Sequence, residues 1–131
     1  MHELGQTEGG DGCATNQVLY NLTRRGIEFD LMPYCLKRRM PIMAYSPIEQ
    51  GRMLGHQTLR EVAKRHDATP AQVALAWLLR QHGIVTIPKA TSIAHANENL
   101  GALTLKLTAD DLKTLDAKFP APTRAKPLDM L

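Results

Sequence analysis

Three short apolar runs, each separated from the next by helix-like sequence, constrain the fold of this chain more than any other feature. The segment "ATNQVLY" (14–20) places β-formers after a glycine-rich opening and reads as a strand from Thr15 to Tyr20. "PIMAY" (41–45) is apolar throughout with proline at its start, which suits a strand buried on both faces. "IVTIP" (84–88) is a third strand, ended by Pro88.

The sequence between these runs has helical spacing. "IEFDLMPYCLKRR" (27–39) is apolar at 27, 31, 35 and 36 with a basic end, and reads as one helix despite Pro33. "HQTLREVAKRH" (56–66) forms a second. In "DATPAQVALAWLLRQHG" (67–83), Thr69 is the N-cap, Pro70 sits in the first turn and Gly83 closes the helix. That helix is apolar nearly all round and should be deeply packed. "SIAHANENLGAL" (92–103) and "TADDLKTLDAKF" (108–119) follow, the latter opened by a capping-box-like pair, Thr108 and Asp111.

Strands alternating with helices make βα units, whose right-handed crossovers build a parallel sheet with the helices outside it. Three strands satisfy this α/β class in two ways: as a small sandwich of helices and sheet, or as part of a (β/α)8 TIM barrel, which typically takes about 250 residues. The opening "MHELGQTEGGDGC" reads as the end of a helix and a connecting loop, which favours the barrel. The expectation is a partial barrel domain over residues 1–131 with about three βα units. The proline-rich tail, residues 120–131, should be irregular.

Composition narrows the function. The net charge of +3 is scattered. The basic groups Arg24-Arg25, Lys37-Arg38-Arg39 and Lys64-Arg65 read as solvated helix faces and helix ends, with no interleaved aromatics, so no nucleic-acid partner is expected. Cys13 and Cys35 lack CxxC spacing and read as reduced thiols of a cytoplasmic protein. No apolar run approaches the roughly 18 residues of a membrane span, and no secretory h-region follows Met1. The five histidines have no metal spacing and read as surface residues. Glycine loops of the Walker or GxGxxG type and a GxSxG elbow are missing from the sequence. Tyr20 and Tyr34 read as packing residues.

In parallel α/β folds, ligands gather beyond the carboxyl ends of the strands. Three polar clusters are expected on that edge: Asn16-Gln17, Tyr45-Ser46, and Lys89 with Thr91-Ser92. The helix start near Ser92 adds unpaired N–H groups suited to an anion. On these grounds alone, Lys89 reads equally as a phosphate ligand or as a surface residue, and Ser92 as an ordinary cap.

"NQVLYN", "PIMAYSPI" followed by "QG", "PAQVALAWLL" and "IPKATSIAHANENL" resemble, in order and spacing, consecutive pieces of the C-terminal part of the aldo-keto reductase family. The resemblance covers nearly the whole chain. It implies NAD(P)H-dependent reduction of aldehydes or ketones, with NADPH extended across the C-terminal face of a barrel. By this similarity Gln17 would bond the nicotinamide carboxamide and Tyr45 would stack on the nicotinamide. Ser46, Pro47, Ile48 and the loop through Gln50 and Gly51 would cover the pyrophosphate. Lys89 would meet the phosphate on the adenosine ribose, with Ile87, Ala90, Thr91 and His95 beside it, and Glu98 and Asn99 would hold the adenine.

Two positions depart from the family pattern. Ala90 stands where serine is frequent, and His95 where arginine is frequent, so NAD stays open beside NADP. His95 reads equally as a plain helix-surface residue. No position matches the family's catalytic aspartate, tyrosine, lysine and histidine. The resemblance therefore implies a cofactor-binding part, inactive alone, which needs an N-terminal barrel half to act on a small-molecule carbonyl substrate. The alternative is a non-catalytic dinucleotide-binding or assembly module that pairs with another chain. Open strand edges in the isolated piece point to self-association.

Overall fold

The computed structural model describes residues 6–131. Of the opening read as the end of a helix and a connecting loop, residues 1–5 lie outside the described residues. Three strands, β1 (Asn16–Leu19), β2 (Ile42–Tyr45) and β3 (Ile84–Thr86), form a parallel sheet in the order β1-β2-β3. Asn16 stands opposite Ile42 and Leu19 opposite Tyr45, while Ile42 and Ala44 stand opposite Ile84 and Thr86.

Side chains alternate across a strand, so this register sorts them onto two faces. Val18, Ile42 and Ala44 lie on one face, buried in a core with Leu59, Val62, Val73, Trp77, Leu78 and Leu115 from the helices. On the other face, Gln17 is exposed, Met43 and Tyr45 are half-buried, and Val85 is 45% and Ile87 41% exposed. The helices therefore cover one side of the sheet and leave the other open, although Leu19 on that side is buried.

Among the described residues the α-helices are α1 (Leu31–Lys37), α2 (Gln57–Arg65), α3 (Pro70–Leu79), α4 (Ile93–Gly101) and α5 (Ala109–Lys118), and all but α4, which buries none of its residues, contribute side chains to that cover. The segment expected as one helix over 27–39 is instead a 3-10 turn, Gly26–Glu28, followed by α1. Pro33 explains the division. Lacking an N–H, it fits only the first turn, so the helix begins at Leu31, whose N–H is capped by the Asp30 carboxylate at 2.7 Å. Gly83 likewise does not close α3, which ends at Leu79; with φ 76° it turns the chain into β3. The expected strands were each slightly too long. Residues 120–131 contain no helix or strand.

Helix α3 is buried from Val73 to Leu78 and opens with a complete capping box between Thr69 and Gln72. Two guanidinium groups lie over its Trp77 ring, Arg25 at 5.0 Å and Arg80 at 4.9 Å, with Tyr20 tilted against it at 5.7 Å. Arg25 also pairs with Glu28 at 2.8 Å and with Asp116 of α5 at 2.6 Å. Arg24-Arg25 thus corrects the expectation of a solvated helix face. The pair lies in the turn after β1, where Arg25 is buried because stacking and ion pairing offset its desolvation. Tyr20 is fully buried, its hydroxyl bonded to Glu28 and Gln81, and burial pushes its phenol well above the usual range.

Helix α5 docks onto α2 through Asp111, which is 2% exposed. Its carboxylate accepts from Thr108 N and Oγ1, from Arg65 Nη1 at 3.0 Å and lies 2.6 Å from His66 Nε2. Burial raises this group, but the bonds from His66, Thr108 and Arg65 outweigh burial and hold it well below the usual carboxylate range. His66 is thus a half-buried brace, and the half-buried His56 caps α2 by accepting from Thr58 N at 3.3 Å. Both remain partly exposed, so the surface reading of the histidines gains a structural role at these two positions.

Candidate functional site

The chain leaves β2 at Tyr45 through backbone that most side chains avoid. Ser46 has φ 50°, Glu49 50°, Gln50 55° and Gly51 83°. A non-glycine residue held there costs about 1–2 kcal/mol, so three in six residues need support from their surroundings. Local turn bonds supply part of it, from Glu49 N to Ser46 O and from Gly51 N to Ile48 O.

The rest comes from the turn after β1. Asn21 is fully buried and uses both ends of its amide. Its Nδ2 donates to Ser46 O at 3.0 Å and to Glu49 Oε2 at 2.8 Å, while its Oδ1 accepts from Thr23 N and Oγ1 and from Arg24 N. Glu49, 6% exposed, also accepts from Arg24 Nε and Nη2 at 3.1 and 2.9 Å and from Arg52 at 3.4 Å. Burial pushes its carboxyl up, but bonds from Arg24 and Asn21 prevail and lower it, so the charge is retained.

On the other side of this loop lies a groove of about 740 Å³. Tyr45, Ser46, Pro47, Ile48, Gln50 and Gly51 form one wall. Ile87, Lys89 and Thr91, which follow β3, form the other, and Leu131 of the tail reaches its edge. Among the described residues, no ion pair occupies the exposed Lys89 ammonium. The groove offers an aromatic face, an apolar floor, a glycine-containing backbone turn and a cation, which together suit a planar group joined to an anionic chain.

The remaining expected site residues lie outside that groove. Ala90 is exposed beside Lys89. His95, on the first turn of α4, has its Nδ1 3.3 Å from Thr91 Oγ1, and its N–H donates to the Ser92 cap. Glu98 accepts from Thr69 Oγ1 at 2.7 Å, and its carbonyl accepts from Gln72 Nε2 at 2.9 Å. Glu98 and its half-buried neighbour Asn99 are thus fixed against the start of α3. Gln17 corrects its expected place at the carboxyl edge. It pairs with Met43, two residues before Tyr45, so it sits deeper on the open face.

Sequence reasoning passed over Asn21, Arg24 and Glu49, because the bonds that join Asn21 and Arg24 to Ser46 and Glu49 connect segments 25 to 28 residues apart. A second cavity of about 690 Å³ lies beneath the tail, bordered by Leu22, Gly26, Phe119 and Lys126. Among the described residues, no group of histidine, cysteine, aspartate and glutamate is arranged for a metal, and no helix is long and apolar enough to cross a membrane.

A family model described as "Aldo/keto reductase family" matches residues 1–119. The chain is 46% identical over 136 residues to "Methylglyoxal reductase YeaE" of Escherichia coli, covering 100% of this chain and 48% of that protein. It is 36% identical to "Glyoxal reductase" of Bacillus subtilis, covering 78% of this chain and 36% of the relative. Among solved structures, an aldo-keto reductase from Klebsiella pneumoniae in complex with NADPH superimposes with a TM-score of 0.96 at 43% identity, over 99% of this chain and 48% of that one. The chain therefore spans about half the length, or less, of these relatives.

Proposed function

Since the chain belongs to the aldo/keto reductase family, and its parallel sheet and helices form part of a TIM barrel, we propose that it carries the coenzyme-binding surface of an NAD(P)H-dependent carbonyl reductase. The observation that supports this most is the groove. Its two walls come from adjacent strand ends and hold Tyr45, the loop from Ser46 to Gly51, and Lys89 around one space.

In this reading Tyr45 stacks on the nicotinamide, Gln17 reaches its carboxamide from the open face, and the loop covers the pyrophosphate. Lys89 meets the ribose phosphate with Thr91 and His95 nearby, and Glu98 and Asn99 border the adenine. When bound, the reduced coenzyme supplies hydride for a carbonyl carbon. This chain's residues orient it and exclude water from one side. The proton donor is not among the groove residues, so the chain alone does not turn over, and the complementary barrel surface provides the acid. The names of the relatives make small 2-oxoaldehydes the first substrate class to test in the complete barrel. Its unpaired cysteines, Cys13 and Cys35, accord with a reducing, cytoplasmic setting.

The second reading is a non-catalytic module whose partner, another chain or a second copy, covers the sheet face bearing Val85 and Ile87. The exposure of those two residues is what favours it. Titrating NADPH into the purified chain while following coenzyme fluorescence tests the main reading. Saturable enhancement without methylglyoxal-dependent NADPH oxidation is expected. Fluorescence that stays flat, with no protection from proteolysis, rejects it.

A further inference from the structure

The buried contacts behind the Ser46–Gly51 loop carry an inference of their own. Gln50 and Gly51 line the groove, whereas Glu49, between Ile48 and Gln50, borders a different cavity of about 530 Å³ with Thr23, Arg24 and Arg52. Successive residues of one loop thus serve opposite sides. A carboxylate on the groove side would repel a pyrophosphate. Here it is turned into the interior and neutralised by Arg24 at 2.9 Å and Arg52 at 3.4 Å. Asn21 bonds both that carboxylate and the Ser46 carbonyl, the two positions where the loop turns left-handed ahead of Gln50.

We propose that Asn21 and Glu49 are positioning residues that preset the Ser46–Gly51 loop in the form that covers the coenzyme pyrophosphate. This rests on the coenzyme reading above. A free loop would abandon these strained dihedrals, and ordering it again would be charged against binding. The anchor removes that cost in advance, so its loss should weaken ligands that span the loop and spare those that do not reach it.

Adenosine 2′,5′-bisphosphate, which carries the adenine and ribose-phosphate end without the dinucleotide bridge, is the discriminating probe. Its affinity and that of NADPH would be measured on the full chain and on Glu49→Gln and Asn21→Ala, alongside the rate of tryptic cleavage after Arg52, at the exposed end of the loop. Both variants should bind NADPH at least about tenfold more weakly and the bisphosphate within about twofold of the parent, with faster cleavage at Arg52. Equal weakening of both ligands reduces the anchor to general stability and overturns the proposal, as does an unchanged cleavage rate. If Asn21→Ala does not fold, Glu49→Gln, which keeps the size and one acceptor oxygen, carries the test. A parent chain that binds neither ligand sinks the coenzyme reading instead, and the cleavage rate alone then decides whether these residues order the loop.

Discussion

The Nε2 of His66, at the end of α2, lies 2.6 Å from Oδ2 of Asp111, in the first turn of α5. One carboxylate thereby caps its own helix and ties it to another. Its folded-state value is held below the unfolded value of about 3.9, so it favours the folded state above about pH 4. That contribution is lost as pH falls through the folded value. Asp111→Asn should cost about 1–3 kcal/mol at neutral pH and flatten the acid limb of stability below about pH 4. Urea midpoints across this range check it, and an acid limb of unaltered slope contradicts it.

Gly101 closes α4 against the side chain of Gln72. A Cβ there would stand 2.3 Å from Gln72 Nε2. The amide cannot retreat cheaply, because it also donates to Glu98 O and accepts from Thr69 N. Alanine, normally better than glycine in a helix by about 1 kcal/mol, should here destabilise by about 1–2 kcal/mol. Adding Gln72→Ala should recover part of that loss in thermal unfolding. Purely additive effects would show that the two residues do not compete for this space.

Lys89→Ala should weaken NADPH more than NADH by about 1–3 kcal/mol, since the two coenzymes differ only in the ribose phosphate. His95→Arg should shift preference the other way by supplying a bidentate donor. Dissociation constants for both coenzymes measure each effect. Equal losses for NADPH and NADH in Lys89→Ala would remove the assigned role.

The two thiols should react at very different rates. Cys13 is exposed, whereas Cys35 is buried on α1, where burial pushes its thiol up and the bond from Asn16 Nδ2 only partly opposes this. With a chromogenic disulfide at neutral pH, one thiol per folded chain should react promptly and the second only on unfolding. Prompt release of two equivalents would contradict the packing of α1.

The elements most legible from sequence were those whose signals are local. Thr69, Ser92 and Thr108 announced helix starts because a cap acts within three residues. The loop after Tyr45 stood out because Pro47 and Gly51 interrupt an apolar run. Pro33 misled the reading of 27–39, since a proline signals both an interior break and a tolerated first turn. Arg25 and Glu49 were illegible for a different reason. Each is a charged residue buried with one partner nearby, Glu28 for Arg25 and Arg52 for Glu49, and with others far away in sequence, Asp116 for Arg25 and Asn21 and Arg24 for Glu49, which no local window contains. Gln17 was recognised as a type but misplaced in depth, because depth on a sheet follows from register with a neighbouring strand.

The sole tryptophan, Trp77, has the guanidinium groups of Arg25 and Arg80 over its ring, and among the described residues its buried indole N–H meets no acceptor. Its ultraviolet emission therefore belongs to the helical layer. Excited at the indole band, the chain reports melting of α3. A coenzyme docking in the groove, which Trp77 does not line, would register in that channel chiefly by taking up the indole's energy.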